Sequence, residues 1–480
     1  MIRVLAVASE IFPLVKTGGL GDVAGALPLA LTGSDVQTTT LVPGYPAVLG
    51  AIQDAEPVWT FPDLFGGPAQ LLRARAAGLD LLVLQAGHLF ARDGNPYLGP
   101  DLAEWPDNSV RFAGLGAAAA AIAVHPDHGF DIVHAHDWQA AMAPVYLHFH
   151  PGRRPGTIQT IHNLAFQGRY PASLFPRLGL PSSAFSVDGL EYFGDVNFLK
   201  GALVFADRLT TVSPTYAREI TFLADGMGLD GVLRQRAADL TGIMNGIDDT
   251  VWDPATDPLI TEPFTRPRLG RRALNKARLQ ERMGLSVDAG TLLIGVISRM
   301  TTQKGLDLLV SQIDAMVAAG MQLIVLGTGD PAMQQGFSNA AAEHPNQVAC
   351  IIGYDEGMAH LIQAGTDALL VPSRFEPCGL TQLYALRYGA VPIVARVGGL
   401  ADSVIDANEA ALAAGVATGL QFTPVTEPAL WATLERCQRL WRNRKVWERM
   451  QRNGMAADVS WRTPAKHYAA LYQSLIAARA

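Results

Sequence analysis

IRVLAVASEIFPLVKTGGLGDV, Ile2 to Val23, contains the strand, turn and helix start on which the fold assignment rests. Ile2 to Ala8 is a short apolar run with no polar alternation, as expected for a strand covered on both faces of a parallel sheet. KTGGLGDV, Lys16 to Val23, follows with glycines where a helix should begin. Amides at such a helix start make an anion cradle, while a tight turn needing positive φ is the plainer alternative. The glycines fall at 18, 19, 21 and 25, so the dinucleotide fingerprint GxGxxG cannot be drawn.

The same alternation of short apolar runs and longer Ala- and Leu-rich stretches continues outward. Strands are expected at Thr38–Val42, Leu79–Gln85, Asp131–His134, Thr157–Ile161 and Arg208–Val212. A second series covers Thr291–Ile297, Gln322–Leu326, Gln347–Ile351, Asp367–Val371 and Val391–Ala395. The chain therefore reads as α/β, with two doubly wound halves meeting near Asn245: residues 1–245 and residues 246–460. Asp253 to Leu269, with prolines at 254, 258, 263 and 267, reads as a hinge or linker. Trp461 to Ala478 reads as an amphipathic helix. TGGLGDV at Thr17–Val23 returns as VGGLADSV at Val397–Val404, a weak echo better explained by shared turn geometry than by duplication.

At 480 residues the chain exceeds the roughly 250–300 at which one core stops growing. An apolar content of 49% with 17% charged residues describes a well-packed globular protein, and a formal charge of −7 offers no general attraction to nucleic acid or anionic membrane. Cys350, Cys378 and Cys437 are too few and too scattered for a disulfide framework or a four-ligand zinc site. With no signal-peptide pattern at Met1–Glu10 and an apolar run at Gly114–Val124 too short to span a bilayer, the expectation is a cytoplasmic protein without membrane contact. Arg266–Arg282 carries seven Lys or Arg against one Glu and reads as a solvated helix face.

Several segments place polar groups at strand ends, where open α/β sheets bind ligands. SRMTTQKG, Ser298–Gly305, puts Arg299 and Lys304 within reach of a diphosphate, unless they are simply a solvated pair. PSRFEPCGLTQLYALRYG, Pro372–Gly389, sets Glu376 on an irregular turn before a helix whose first amides, at Gly379, Leu380 and Thr381, face sugar hydroxyls or phosphate. Cys378 is a packing or contact residue, with no histidine in its motif to act as base.

DIVHAHDWQ, Asp131–Gln139, sets His134 and His136 on one strand face; strand-end packing is favoured over metal binding, and Asp137 and Trp138 are better placed to meet a ring-shaped polar ligand. His162 in TIHNLAFQG reads first as a structural histidine, Asn245 in NGIDDTVWDP as part of a reversal, and Tyr354 in GYDE as either a base platform or a core residue.

Together with PGYP, these motifs and VGGLADSV make nine in one order, and in that order the chain from residue 2 to about 461 resembles the bacterial glycogen and plant starch synthases. The resemblance implies the GT-B glycosyltransferase architecture, two Rossmann-like domains facing across a cleft, with the C-terminal helix joining residues 461–480 to the first domain. It implies a retaining hexosyltransferase that takes ADP-glucose as donor and an α-1,4-glucan as acceptor; no cofactor and no metal are expected.

By the same resemblance Lys16, Gly18 and Gly19 bind the donor, Arg299 and Lys304 hold its diphosphate, and Asp137, His162 and Asn245 surround the transferred glucose. Glu376 and the turn Cys378, Gly379, Leu380 and Thr381 hold glucose hydroxyls and phosphate, with Tyr354 beside adenine. Wider retaining transferases carry a second Glu eight positions after the first; here, as in the synthases, that position is Tyr384. Alternatives are a glucosyltransferase with a small sugar acceptor, a noncatalytic sugar-binding regulator and a nucleotide-sugar isomerase. A phosphorylase would need a Schiff-base lysine, and none is identifiable.

Overall fold

The computed structural model describes residues 1–101 and 103–479; Leu102 and Ala480, within the ranges expected for the first domain and the C-terminal helix, lie outside the described residues. The chain divides into two compact units. Unit 1 is Met1–Asn245 with Trp461–Ala480, and unit 2 is Gly246–Ser460.

Unit 1 contains β1 (Ile2–Val7), β2 (Val36–Pro43), β3 (Gln53–Phe61), β4 (Ala69–Ala76), β5 (Leu79–Gln85), β6 (Ile132–His136), β7 (Gly156–Ile161), β8 (Arg169–Pro171), β9 (Glu191–Tyr192), β10 (Asp195–Asn197), β11 (Arg208–Thr211) and β12 (Leu240–Gly242). Nine of these form one sheet in the order β12-β11-β7-β6-β1-β2-β5-β4-β3, and β8-β10-β9 form a small antiparallel sheet. Val4 to Val7 of β1 are buried at the centre, paired in parallel with β2 on one side and β6 on the other.

The sheet departs from the expected all-parallel pattern at one margin, where β4 runs antiparallel to both its neighbours, β5 and β3. The cause is local. Ala77 and Gly78, the two residues between β4 and β5, both have positive φ (50° and 77°), so the chain reverses in a tight hairpin instead of crossing over. The outer strand β3 carries exposed Gln53, Asp54, Glu56 and Pro57, which suit an unpaired sheet edge.

The C-terminal helix Arg462–Arg479 belongs to unit 1, burying Tyr468, Tyr472 and Leu475 against Val4, Val23, Ile132 and Ile158. Among the described residues, no helix is long and apolar enough to cross a membrane.

Unit 2 has a wholly parallel sheet of β13 (Leu292–Ile297), β14 (Met321–Gly327), β15 (Val348–Ile352), β16 (Ala368–Val371), β17 (Val391–Ala395) and β18 (Leu420–Phe422). Its order, β15-β14-β13-β16-β17-β18, is the doubly wound 3-2-1-4-5-6 arrangement, with the reversal of direction between β13 and β16. The parallel strands of unit 1 repeat that order, with the reversal between β1 and β6.

Two expectations fail in unit 2. Asp253–Leu269 is no solvated linker, because its anchors are sunk in the unit. Trp252, just before it, is stacked between His360 and Tyr384 at 3.8 Å each, Asp257 accepts from Tyr388 and lies 2.7 Å from His360, and Phe264 is buried. The basic helix Arg272–Arg282 is also not purely a solvated face. Arg272 donates to the carbonyls of Gln363 and Thr366, and Lys276 to Ala289, Thr291 and the Asp367 carboxylate, so these two buried cations satisfy neighbouring backbone oxygens.

Candidate active site

In unit 2, the loops after β13 and β16 are drawn together by close backbone contact. Gly305 ends the Thr302–Lys304 turn at φ 67°, and a Cβ there would run into the Pro372 carbonyl. Arg374 staples the two loops with a fork to Asp307 (2.7 and 2.6 Å) and a bond to the Thr302 carbonyl. Lys304 Nζ thereby lies 2.6 Å from Glu376 Oε2, which also accepts from Ser373 Oγ at 2.8 Å. Glu376 is buried, Lys304 nearly so.

Lys304 and Glu376, expected to meet phosphate and sugar respectively, are thus bonded to each other. An ammonium has three protons, so Lys304 can keep this bond and still donate to a ligand. Arg299, on the same loop, is exposed and has no side-chain partner among the described residues.

Beyond Glu376 the turn is held by backbone. Cys378 is buried, Gly379 has φ 72°, and Leu380 caps the helix Thr381–Tyr388. Gln382 Nε2 donates to the carbonyls of Cys378 and Gly379. Beneath them, Gly399 donates to the Glu376 carbonyl at 3.1 Å, and a Cβ there would strike Cys378. Tyr354, after β15, is 70% exposed and its hydroxyl contacts Glu356; it is a surface platform, not a core residue. Tyr384 packs on Trp252.

In unit 1 the glycine turn is already filled. The Glu10 carboxylate accepts from the Thr17 amide, the Thr17 hydroxyl (2.6 Å), the Gly18 amide (3.2 Å) and the Tyr97 hydroxyl. Gly18 caps the helix Gly19–Ala30 in an extended conformation, φ −158°, so positive φ does not explain it. Gly25 is the position the packing demands, because a Cβ there would meet the Phe12 carbonyl. Lys16 pairs with Asp22 at 2.8 Å.

Asp137 follows β6 with φ 57°, an uncommon conformation for a residue with a side chain and a recurrent mark of functional positions. Its carboxylate accepts from the amides of His162 (2.6 Å) and Asn163 (3.4 Å). Burial pushes its pKa up to about 7 against the pull of those two amides. His162 lies just past β7, with Nε2 2.9 Å from His136 Nδ1. Both nitrogens of His134 are engaged, one with Tyr472 and one with Thr160, so neither is open to a metal. Asn245, three residues past β12, is buried, and its Oδ1 has no hydrogen-bond partner among the described residues.

Trp138 does not offer a ligand platform. It is buried, edge-on to Phe112 at 5.1 Å and tilted against Tyr170 at 6.0 Å. The sequence reading also passed over Glu10, Tyr97, Ser373 and Arg374. A carboxylate at the end of the first strand, ahead of a glycine turn, was the available signal for Glu10; Tyr97 reaches it from 87 positions away and carried none.

The starch synthase catalytic domain family matches residues 3–235, and the glycosyl transferases group 1 family matches residues 291–423. The glycogen synthase of Methylocella silvestris is 59% identical over 480 residues, covering 100% of this chain and 99% of that protein. The glycogen synthase of Rhodopseudomonas palustris strain BisB18 is 58% identical over 480 residues, covering 100% and 98%. The catalytic domain of starch synthase IV from Arabidopsis thaliana, bound to ADP and acarbose, superposes with a TM-score of 0.89 at 30% identity, covering 99% of each chain.

Proposed function

We propose a set of residue roles for this chain, which belongs to the glycogen and starch synthase family of GT-B hexosyltransferases with two Rossmann-like domains. As a glycogen synthase it moves glucose from ADP-glucose to the non-reducing end of an α-1,4-glucan with retention of configuration, releasing ADP.

Unit 2 (Gly246–Ser460) is the donor side. Arg299 and Lys304 take the diphosphate, Arg299 as an unpaired fork and Lys304 as a point charge held by Glu376. Glu376 keeps Oε1 for a glucose hydroxyl, the turn Cys378–Thr381 meets glucose and phosphate, and Tyr354 lies beside adenine. Unit 1 is the acceptor side, where Asp137, His162 and Asn245 meet the transferred glucose; Lys16, Gly18 and Gly19 face the donor. The Gly18 amide, now bonded to Glu10, can serve a phosphate only if that carboxylate moves.

Neither Glu376 nor Asp137 is well disposed to attack carbon. Glu376 is charge-paired and hydrogen-bonded, and Asp137 accepts two backbone N–H groups. Each such bond stabilises the lone pairs a nucleophile would have to donate. The route supported is same-face attack by the acceptor hydroxyl, with the departing ADP phosphate taking its proton and the cations stabilising the charge left on ADP.

The observation that carries this reading is the convergence of a lysine and a carboxylate at the sheet reversal of unit 2, with an exposed arginine on the same loop as the lysine. A cytoplasmic location is supported by three cysteines with no disulfide. The test supplies ADP-glucose or UDP-glucose with glycogen and follows nucleotide release and glucan length. Faster ADP release with lengthening is the expected result. Release without lengthening transfers the reading to a small acceptor, and binding without turnover overturns it.

A further inference from the structure

We propose that His136 is a positioning residue for His162, using its Nδ1 hydrogen bond to hold the His162 ring in one orientation. The inference rests on the reading that His162 meets the transferred glucose.

The arrangement follows from strand register. His134 and His136 point to one face of β6, and β6 pairs in parallel with β7 so that His136 lies opposite Thr160. His162, two positions beyond Thr160, comes to the same face one step further along. The rings form a ladder, with centroids 4.2 Å apart between His134 and His136 and 5.2 Å between His136 and His162. The far end of the ladder is anchored, since His134 is held by Tyr472 of the C-terminal helix (2.8 Å) and by Thr160 (2.6 Å).

His162 Nε2 and His136 Nδ1 are 2.9 Å apart, and His162 Nδ1 has no partner among the described residues. Burial lowers the pKa of His136 to about 4 and that of His162 well below the ordinary imidazole value. Both rings are therefore neutral near pH 7, and a single proton lies in the bond between them. The outer nitrogen of His162 carries a proton if Nε2 accepts and a lone pair if Nε2 donates, and in both cases it is Nδ1 that faces outward. Without His136, the ring could flip and present either.

The backbone amide of His162 is already held by Asp137. Main chain and ring of this one residue are thus fixed separately, by the two neighbouring residues His136 and Asp137. Such double fixation suits a group whose outer nitrogen must face one direction.

The test compares His136→Ala, His136→Asn, His136→Gln, His162→Ala and the double variant His136→Ala/His162→Ala in the ADP-release assay. An asparagine amide falls where Nδ1 stands, whereas a glutamine amide lies one carbon further out. Expected results are a loss in kcat of roughly ten- to a hundredfold for His136→Ala, as for partners that orient a functional ring, with most of it recovered by Asn and not by Gln. The double variant should be no slower than His162→Ala.

Independent, multiplying losses, or equal rescue by Asn and Gln, would overturn the positioning role while leaving His162 in place. Near-normal turnover of His162→Ala would instead remove the reading on which it rests. If His136→Ala does not fold, the Asn and Gln variants carry the comparison, and Gln performing as well as Asn is the overturning result.

Discussion

In unit 2 the loops after β13 and β16 meet through an ammonium and a carboxylate, Lys304 with Glu376. In unit 1 the loop after β1 meets the helix that follows through a carboxylate and backbone amides, Glu10 with Thr17 and Gly18. Both contacts lie where the strand order reverses, the edge at which open α/β sheets bind ligands, so topology is shared and chemistry distinguishes the two units. A lysine paired with a glutamate leaves Arg299 as surplus positive charge, which suits an anion. Amides satisfied by an internal carboxylate leave none.

The largest effect should come from unit 2. Lys304→Gln keeps a hydrogen-bond donor near Glu376 but removes the charge, and kcat should fall by ~10²–10³, on the order of 3 kcal/mol of transition-state stabilisation. A variant releasing ADP at a near-normal rate would break the contrast. In unit 1, Glu10→Gln puts an amide NH₂ among four donors that formerly faced a carboxylate. Urea unfolding should show a loss of about 1–3 kcal/mol, and an unchanged midpoint would mean the turn holds itself.

The smallest effect concerns pH. Burial lowers the pKa of His360, but its hydrogen bond to Asp257 and the charge of the Glu356 carboxylate 3.7 Å from Nε2 outweigh that and raise it to about 9. Because this is above the unfolded value of about 6.5, the contribution is complete below pH ~6.5 and is lost as pH rises through about 9. The gap in Tm between the native chain and His360→Gln should therefore narrow from pH 7 to pH 10. A constant gap would show that the imidazole is uncharged.

Much of this layout could be read from residue order, because buried parallel strands are continuous apolar runs. β5 and β17 lie where those runs begin and end, and Arg299, Lys304 and Glu376 fall at the strand ends expected of them. β4 was missed because the reversal at Ala77-Gly78 lacks the Asn-Gly or Asp-Gly pair that advertises a two-residue hairpin. Asp253–Leu269 misled because prolines with few apolar residues resemble a linker, while its attachment depends on Trp252 and Asp257 finding His360, Tyr384 and Tyr388 over a hundred positions away. The glycine echo was uninformative for a similar reason. TGGLGDV follows β1, the first strand of its sheet, whereas VGGLADSV follows β17, the fifth of the other, so the two turns are not topological counterparts.

Because Tyr468, Tyr472 and Leu475 complete a core whose other members begin at Val4, unit 1 is interrupted in the order of synthesis. On the ribosome, the sheet of unit 1 emerges first yet lacks its covering helix until all of unit 2 has followed. Val4, Ile132 and Ile158 remain uncovered by that helix through translation of more than two hundred residues, an interval in which chaperones or self-association can compete for the same apolar face.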